Sequence, residues 1–423
     1  MSSRFSEAYH QAVLELKENA EQWKAFESNG NCVVLAGPGS GKTKVLTTKV
    51  ARMLVEDIRP PRGLACLTYS NECVRELERR LRRLGVEDRS NLFVGTVHSF
   101  CLVNLLRPFG ALAGLEIGPP YRVASADQQE AFLQKALNEL VSTSEKASWF
   151  RTKLDKHRRT ELDRTTPEWQ ERIGTVALRY EQLLKENGLV DFDGIVLLGL
   201  DLLTRDWVAR CVQARFPVLV VDEYQDLGQP LHELVVRLLQ FGVRIFVVGD
   251  PDQSIYGFTG ARPELLNELA AREDVEDVTL RLNYRCGQRI VQAATLTLEE
   301  KRDYEAGGDH EGAVFFKKIE GATVGQAEGI FQELLPAVRK RHPETPLNEI
   351  AILYHTKFDG TLIASAADAA KVDYVRIDGE ATYRKSPLTR SSSGRAMLNS
   401  WIAATSRATA ASDARRPLTS TTR

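Results

Sequence analysis

An apolar run that breaks into a glycine-rich turn and then into a helical pattern fixes the start of this chain. Cys32, Val33, Val34 and Leu35 form the run, the composition of a parallel strand buried on both faces. The turn is Ala36, Gly37, Pro38, Gly39, Ser40, Gly41, Lys42 and Thr43. Its glycines let the backbone approach a ligand without Cβ obstruction. After Thr43 the sequence K-V-L-T-T-K-V opens a helix, whose first N–H groups and dipole favour an anion. Strand, loop and helix make a phosphate cradle, in which Lys42 reaches the β/γ-phosphates and the Thr43 hydroxyl sits on Mg²⁺. The strict pattern opens with glycine; here Ala36 stands in that place.

A second apolar run, P-V-L-V-V at residues 217–221, ends in Asp222 and Glu223. At the end of a strand, Asp222 can hold Mg²⁺ and Glu223 can orient and deprotonate an attacking water. The bland alternative is a strand closing on two solvated acids at a turn. With an independent phosphate loop upstream, the pair points to binding and hydrolysis of a nucleoside triphosphate.

Further stretches bring a family into view. D-E-Y-Q-D (residues 222–226) resembles motif II of superfamily 1 helicases of the UvrD/Rep/PcrA type. N-A-E-Q-W-K-A (19–25) is similar to the Q-motif, L-T-Y-S-N (67–71) to motif Ia and G-T-V-H-S-F (95–100) to motif Ib. V-D-F-D-G (190–194) matches a further family signature. V-G-D-P-D-Q-S-I-Y-G-F-T-G-A (248–261) resembles motif III and L-N-Y-R (282–285) motif IV. The resemblance runs from about residue 16 to about residue 385 and is strongest before residue 290.

It implies a P-loop NTPase (RecA-like) α/β fold with ATP and Mg²⁺ as cofactors and single-stranded DNA, or a single-strand/duplex junction, as partner. It also implies roles. Gln22 reads the adenine edge, and Tyr284 stacks on the adenine ring. Gln253 senses the γ-phosphate, and Arg285 sets a fixed cation against developing charge; a surface salt bridge is the other reading of Arg285. Phe258 supplies a platform for base stacking, worth roughly 1–3 kcal/mol per base. The family's motif III commonly reads G-W-R-G-A; here Phe258 keeps the aromatic and Thr259 replaces the arginine.

Tyr69, Asn71 and His98 are the remaining candidate DNA contacts, with core packing the alternative for Tyr69 and His98. Strand binding also needs cations that track the backbone. Arg75, Arg79, Arg80, Arg82 and Arg83 follow motif Ia on a helix with Val74, Leu77, Leu81 and Leu84 at core spacing. A second run holds Arg151, Lys153, Lys156, Arg158 and Arg159. Both kinds of run are more often simply solvated helix faces.

The formal net charge is −1, so any DNA site must be a local patch. Six cysteines show no C-x-x-C pairing and no zinc spacing. The N-terminus lacks an apolar signal core, and the apolar stretch 194–203 is interrupted by Asp201 and too short to span a bilayer. Those features fit a cytoplasmic protein without a membrane partner.

Length, at 423 residues, suggests two to three domains. Apolar runs at 32–36, 64–68, 92–95, 217–221, 244–248 and 278–282 alternate with helical patterns and predict a parallel sheet. The expected division is a first RecA-like lobe (1–100 and 206–282), a helical inserted subdomain (101–205), a partial second RecA-like lobe (283–388) and a low-complexity, disordered tail (389–423). Strands of the second lobe are expected at 313–317, 349–354 and 373–377. Nothing resembling motifs V and VI follows. Three functional readings stand: an ATP-driven 3′→5′ helicase or translocase, an ATP- and DNA-binding module needing a protein partner to complete the motor, and a non-functional fragment.

Overall fold

A computed structural model describes residues 6–86, 90–115, 117, 120–140, 146–253, 262–297 and 303–376. Its strands are β1 (Asn31–Ala36), β2 (Leu64–Thr68), β3 (Leu92–Thr96), β4 (Arg122–Val123), β5 (Leu189–Val190), β6 (Val218–Val221), β7 (Arg244–Gly249), β8 (Val275–Leu280), β9 (Leu282–Asn283) and β10 (Glu305–Ala306). Six of them form one parallel sheet in the order β3-β2-β6-β7-β1-β8. Five of the six lie on apolar runs expected from the sequence; the sixth, β8, begins three residues before the expected run 278–282 and leaves Glu276 and Asp277 exposed at the edge of the sheet.

The continuous apolar runs have a simple cause. Side chains alternate across a strand, and here both faces are covered. Val33, Leu67, Leu219, Val221, Ile245 and Val247 enter one core. Their neighbours Val34, Cys66, Val218, Val220, Phe246 and Val248 enter the other. A chain buried on both sides has no polar face to show.

Helices Ala126–Leu140, Ala147–Thr160 and Arg172–Glu186 pack into a separate core around Leu133, Phe150, Leu154 and Tyr180. The short pairing of β4 with β5 closes its base. Within it Arg158, only 1% exposed, gives Asp191 a two-pronged ion pair at 2.6 and 3.0 Å. Asp191 also accepts from the Tyr180 hydroxyl at 3.0 Å and, as N-cap of helix Phe192–Leu203, from the Gly194 N–H at 2.7 Å. Arg159 pairs with Asp193 at 2.9 Å. The second cationic run is therefore mixed: Lys153 and Lys156 are exposed, Arg158 turns inward, and the partly exposed Arg159 pairs with Asp193, so the two arginines tie this helical core to the V-D-F-D-G segment.

Contacts divide the chain into two compact units, residues 1–314 and 315–423. In the second, helices Thr323–Gly329 and Lys357–Ala369 pack around Ala327, Phe331, Ala366 and Ala367. The strands expected at 313–317 and 349–354 are absent, as is any strand over 373–376; residue 377 and everything after it lie outside the described residues. Among the described residues of this unit no ladder forms, and Phe316 and Leu353 stand 94% and 92% exposed. Apolar β-branched runs become strands only when a neighbour satisfies their N–H and C=O groups and covers a face. Among the described residues, no helix is long and apolar enough to cross a membrane.

Candidate nucleotide and nucleic-acid site

Because the sheet is parallel, the carboxyl ends of β1, β6 and β7 open on the same edge, the place where α/β folds bind ligands. β1 delivers Ala36 into the turn. Gly39 and Gly41 adopt positive φ of 68° and 87°, the left-handed region that glycine enters without steric cost. Gly41 is the N-cap of helix Lys42–Glu56 and offers no side-chain cap. The first amides of that helix are therefore left for an anion. The loop is braced internally by the Ser40 hydroxyl, which donates to the Gly37 carbonyl at 2.7 Å. Gln22, 3% exposed, donates its amide N–H to the Ser40 carbonyl at 2.8 Å.

Lys42 begins the helix, and Thr43 follows it. The Lys42 ammonium is buried 3.5 Å from Asp250 Oδ2 yet makes no hydrogen bond. An ammonium has three donors to satisfy; Asp250 supplies charge but no hydrogen bond, so this group keeps its donors for anionic oxygens of a ligand. The buried ammonium without a hydrogen bond, the uncapped helix and the glycine turn all fit a polyphosphate.

Facing it, Asp222 ends β6 and is 4% exposed. Burial, reinforced by the neighbouring Glu223, pushes its carboxyl up to about 7. Glu223 sits at φ 53°, unusual for a residue with a side chain and typical of functional turns. The Gln225 amide donates to Glu223 Oε2 at 2.8 Å, and Gln225 Oε1 accepts from the Asp250 N–H at 2.9 Å. Gln253 donates to Asp250 Oδ2 at 2.5 Å. A continuous chain of hydrogen bonds thus joins Gln253, Asp250, Gln225 and Glu223.

Among the described residues, no three His, Cys, Asp or Glu side chains gather into a metal cage. Mg²⁺ is characteristically held by one or two protein oxygens with waters and phosphates completing the shell. Thr43 and Asp222 are donors of that kind.

β9 brings the L-N-Y-R segment against the turn. The Tyr284 N–H donates to the Gly39 carbonyl at 2.9 Å. Asn283 Oδ1 accepts from the Arg285 and Cys286 N–H groups, each at 2.8 Å. A Cβ at Gly39 would fall 2.6 Å from Asn283 Oδ1 and 2.7 Å from Arg285 Cβ, so glycine is needed there for packing as well as for φ. Tyr284 is half exposed, and its hydroxyl accepts from Asn19 Nδ2 at 2.8 Å. Asn19 meanwhile caps helix Ala20–Glu27 through the Glu21 and Gln22 N–H groups.

Tyr69 and His98 line one open cleft with Arg159, Asp193 and Asp226. Burial holds the His98 imidazole below its usual range, and its ring meets the exposed Phe192 edge-on at 5.7 Å. Asn71 is exposed at the start of helix Asn71–Arg83, which Ser70 caps. On that helix Arg79 and Arg80 pair with Glu76, and Arg82 with Glu78. Phe258 lies outside the described residues.

Several members of the site carried no assignment from the sequence: Asn19, Gln225, Asp250, Asn283 and Tyr304, whose hydroxyl donates to Asp252 Oδ2 at 3.3 Å. Asn19 and Asn283 sat inside the quoted motifs, each with the Asx side chain that caps backbone N–H groups. Nothing local marks Tyr304, whose place depends on pairing between distant segments.

A family model described as the UvrD/REP helicase N-terminal domain matches residues 18–274. Among curated proteins, the chain is 27% identical over 384 residues to an ATP-dependent DNA helicase PcrA of Staphylococcus epidermidis, covering 86% of this chain and 51% of the relative. It is 28% identical over 389 residues to the PcrA of Leuconostoc citreum, covering 87% and 50%. For the PcrA of Staphylococcus aureus the identity is 27% over 382 residues, covering 86% and 51%. The chain spans about half the length of the curated relatives it matches.

Proposed function

This chain belongs to the UvrD/REP helicase family, and from that premise we propose that it hydrolyses Mg-ATP to drive 3′→5′ movement along single-stranded DNA. The observation that carries the reading is the buried Lys42 ammonium without a hydrogen bond, at the uncapped start of a helix and opposite Asp222. In this reading the amides of Gly39, Ser40, Gly41, Lys42 and Thr43 cradle the phosphates, and Lys42 neutralises the β/γ oxygens. Mg²⁺, when held by Thr43 and Asp222, supplies charge neutralisation at the transferring phosphoryl group. Glu223, oriented by Gln225, takes the proton from water as it attacks. Gln253 reports the γ-phosphate through Asp250, and Arg285 stabilises charge in transfer. Gln22 and Tyr284 hold the adenine, and Ala36, Gly37 and Pro38 shape the turn.

The organisation follows: residues 1–100 and 206–282 as motor lobe, 101–205 as inserted subdomain, 283–388 as the start of a second lobe. Tyr69, Asn71, His98 and Phe258 contact the strand. The cleft that Tyr69 and His98 share also contains Asp226, a member of the D-E-Y-Q-D segment, which supports a strand site adjoining the nucleotide site.

A second reading, nucleotide and strand binding without autonomous unwinding, is favoured by the absence of strands among the described residues 315–376. In it a protein partner completes the motor. Steady-state ATP hydrolysis with and without single-stranded DNA separates the two. Strong stimulation supports the motor; nucleotide binding without turnover supports the module.

Lys42→Ala should abolish nucleotide-dependent protection against thermal unfolding. The unsubstituted chain gains about 2.7 kcal/mol when ligand is at 100 times Kd. A variant that kept this shift would remove Lys42 from the phosphate site.

A further inference from the structure

Tyr304 has no part in the roles assigned so far, yet it lies against the phosphate turn. It stands immediately before β10, whose parallel register with β9 is fixed by the Glu305 N–H to the Arg281 carbonyl at 3.1 Å and the Gly307 N–H to the Asn283 carbonyl at 2.8 Å. That register places the tyrosine ring on Gly37: a Cβ there would be 2.6 Å from Cε1 and 2.8 Å from Cζ. The hydroxyl donates to Asp252 Oδ2 at 3.3 Å. The Asp252 N–H in turn donates to Asp250 Oδ1 at 3.1 Å, beside Lys42. One side chain therefore spans the first turn of the cradle and the segment following β7.

We propose that Tyr304 is a positioning residue for the terminal phosphate, with its hydroxyl exchanging Asp252 for a γ-phosphate oxygen when a nucleoside triphosphate binds. This rests on the proposed nucleotide site. Gly37 opens the loop and Gln253 adjoins Asp252, so the two walls bridged by the ring are those between which a third phosphate must lie. The bond to Asp252 is long for an O–H donor, and a phosphate oxygen is a strong anionic acceptor in the same reach. A diphosphate, lacking that oxygen, leaves the hydroxyl on Asp252. Tyr304 thus contributes to telling tri- from diphosphate, and Tyr304→Phe removes the donor while keeping the ring that supports Gly37.

Calorimetric titration of the whole chain and of Tyr304→Phe, with a non-hydrolysable Mg-ATP analogue and with Mg-ADP, tests this. The expected result is analogue affinity weaker by about five- to tenfold with ADP affinity unchanged. Tyr304→Ala should lower the analogue-to-ADP affinity ratio at least as far. Equal losses for both nucleotides, or no loss for either, would overturn the inference and leave the cradle standing. If the unsubstituted chain binds neither nucleotide, the cradle itself fails, and the role of Tyr304 falls with it.

Discussion

Asp191→Ala will destabilise the protein by about 3–5 kcal/mol in chemical denaturation, because it removes the two-pronged partner of a guanidinium held in a dry interior. Arg158 is 1% exposed and finds its two-pronged acceptor in Asp191, with Glu181 holding its Nε at 2.7 Å. The same carboxylate caps helix Phe192–Leu203 and receives the Tyr180 hydroxyl, so the substitution also loses a cap worth about 1 kcal/mol. Burial alone would raise the Asp191 carboxyl, but Arg158 overrides it and holds the group down at about 2. A carboxyl held below its unfolded value stabilises the fold fully at pH values above that of a free aspartate, near 3.9. The contribution is lost as pH falls from there towards 2. The unsubstituted chain should accordingly lose stability across this window, and Asp191→Ala should lose less. The paired change Asp191→Leu with Arg158→Met should recover part of the loss, since replacing both charges avoids an orphan. A single variant that unfolds at the parental denaturant midpoint would mean that water reaches Arg158.

Glu223→Gln should lower kcat for ATP hydrolysis by about 10²–10⁴-fold, the range for losing a general base. Nucleotide affinity should change little. Glutamine keeps an oxygen for the Gln225 amide, so the hydrogen-bond chain from Gln253 through Asp250 survives the change. The substituted side chain can still orient a water but cannot take its proton. Steady-state kinetics and calorimetric titration of the analogue separate these effects. A rise in KM at unchanged kcat would assign Glu223 to binding and remove it as the base.

Much of the six-stranded sheet is written locally. The run at Cys32, Val33, Val34 and Leu35 announces a strand buried on both faces, and five of the six sheet strands appear where such runs occur; the edge strand β8 is shifted from its run. Gly39 and Gly41 announce positive φ. The second unit reads differently: the runs at 313–317 and 349–354 have the same apolar character, yet no ladder forms over them. A strand is a property of a pair, and a sequence window contains only one member. The cationic run ending at Arg159 misleads for a related reason, because charge on a helix shows neither which way it faces nor what it meets.

By itself the sequence determined the strand–turn–helix at residues 31–56 and the acidic pair that ends β6, since periodicity, glycine backbone freedom and side-chain chemistry act within a few residues. The tertiary structure alone decided that Asp250 faces Lys42, that Asp191 neutralises Arg158 and that Tyr304 lies on Gly37. Each of those contacts joins segments far apart in the chain, where register and burial rather than local propensity select the partner.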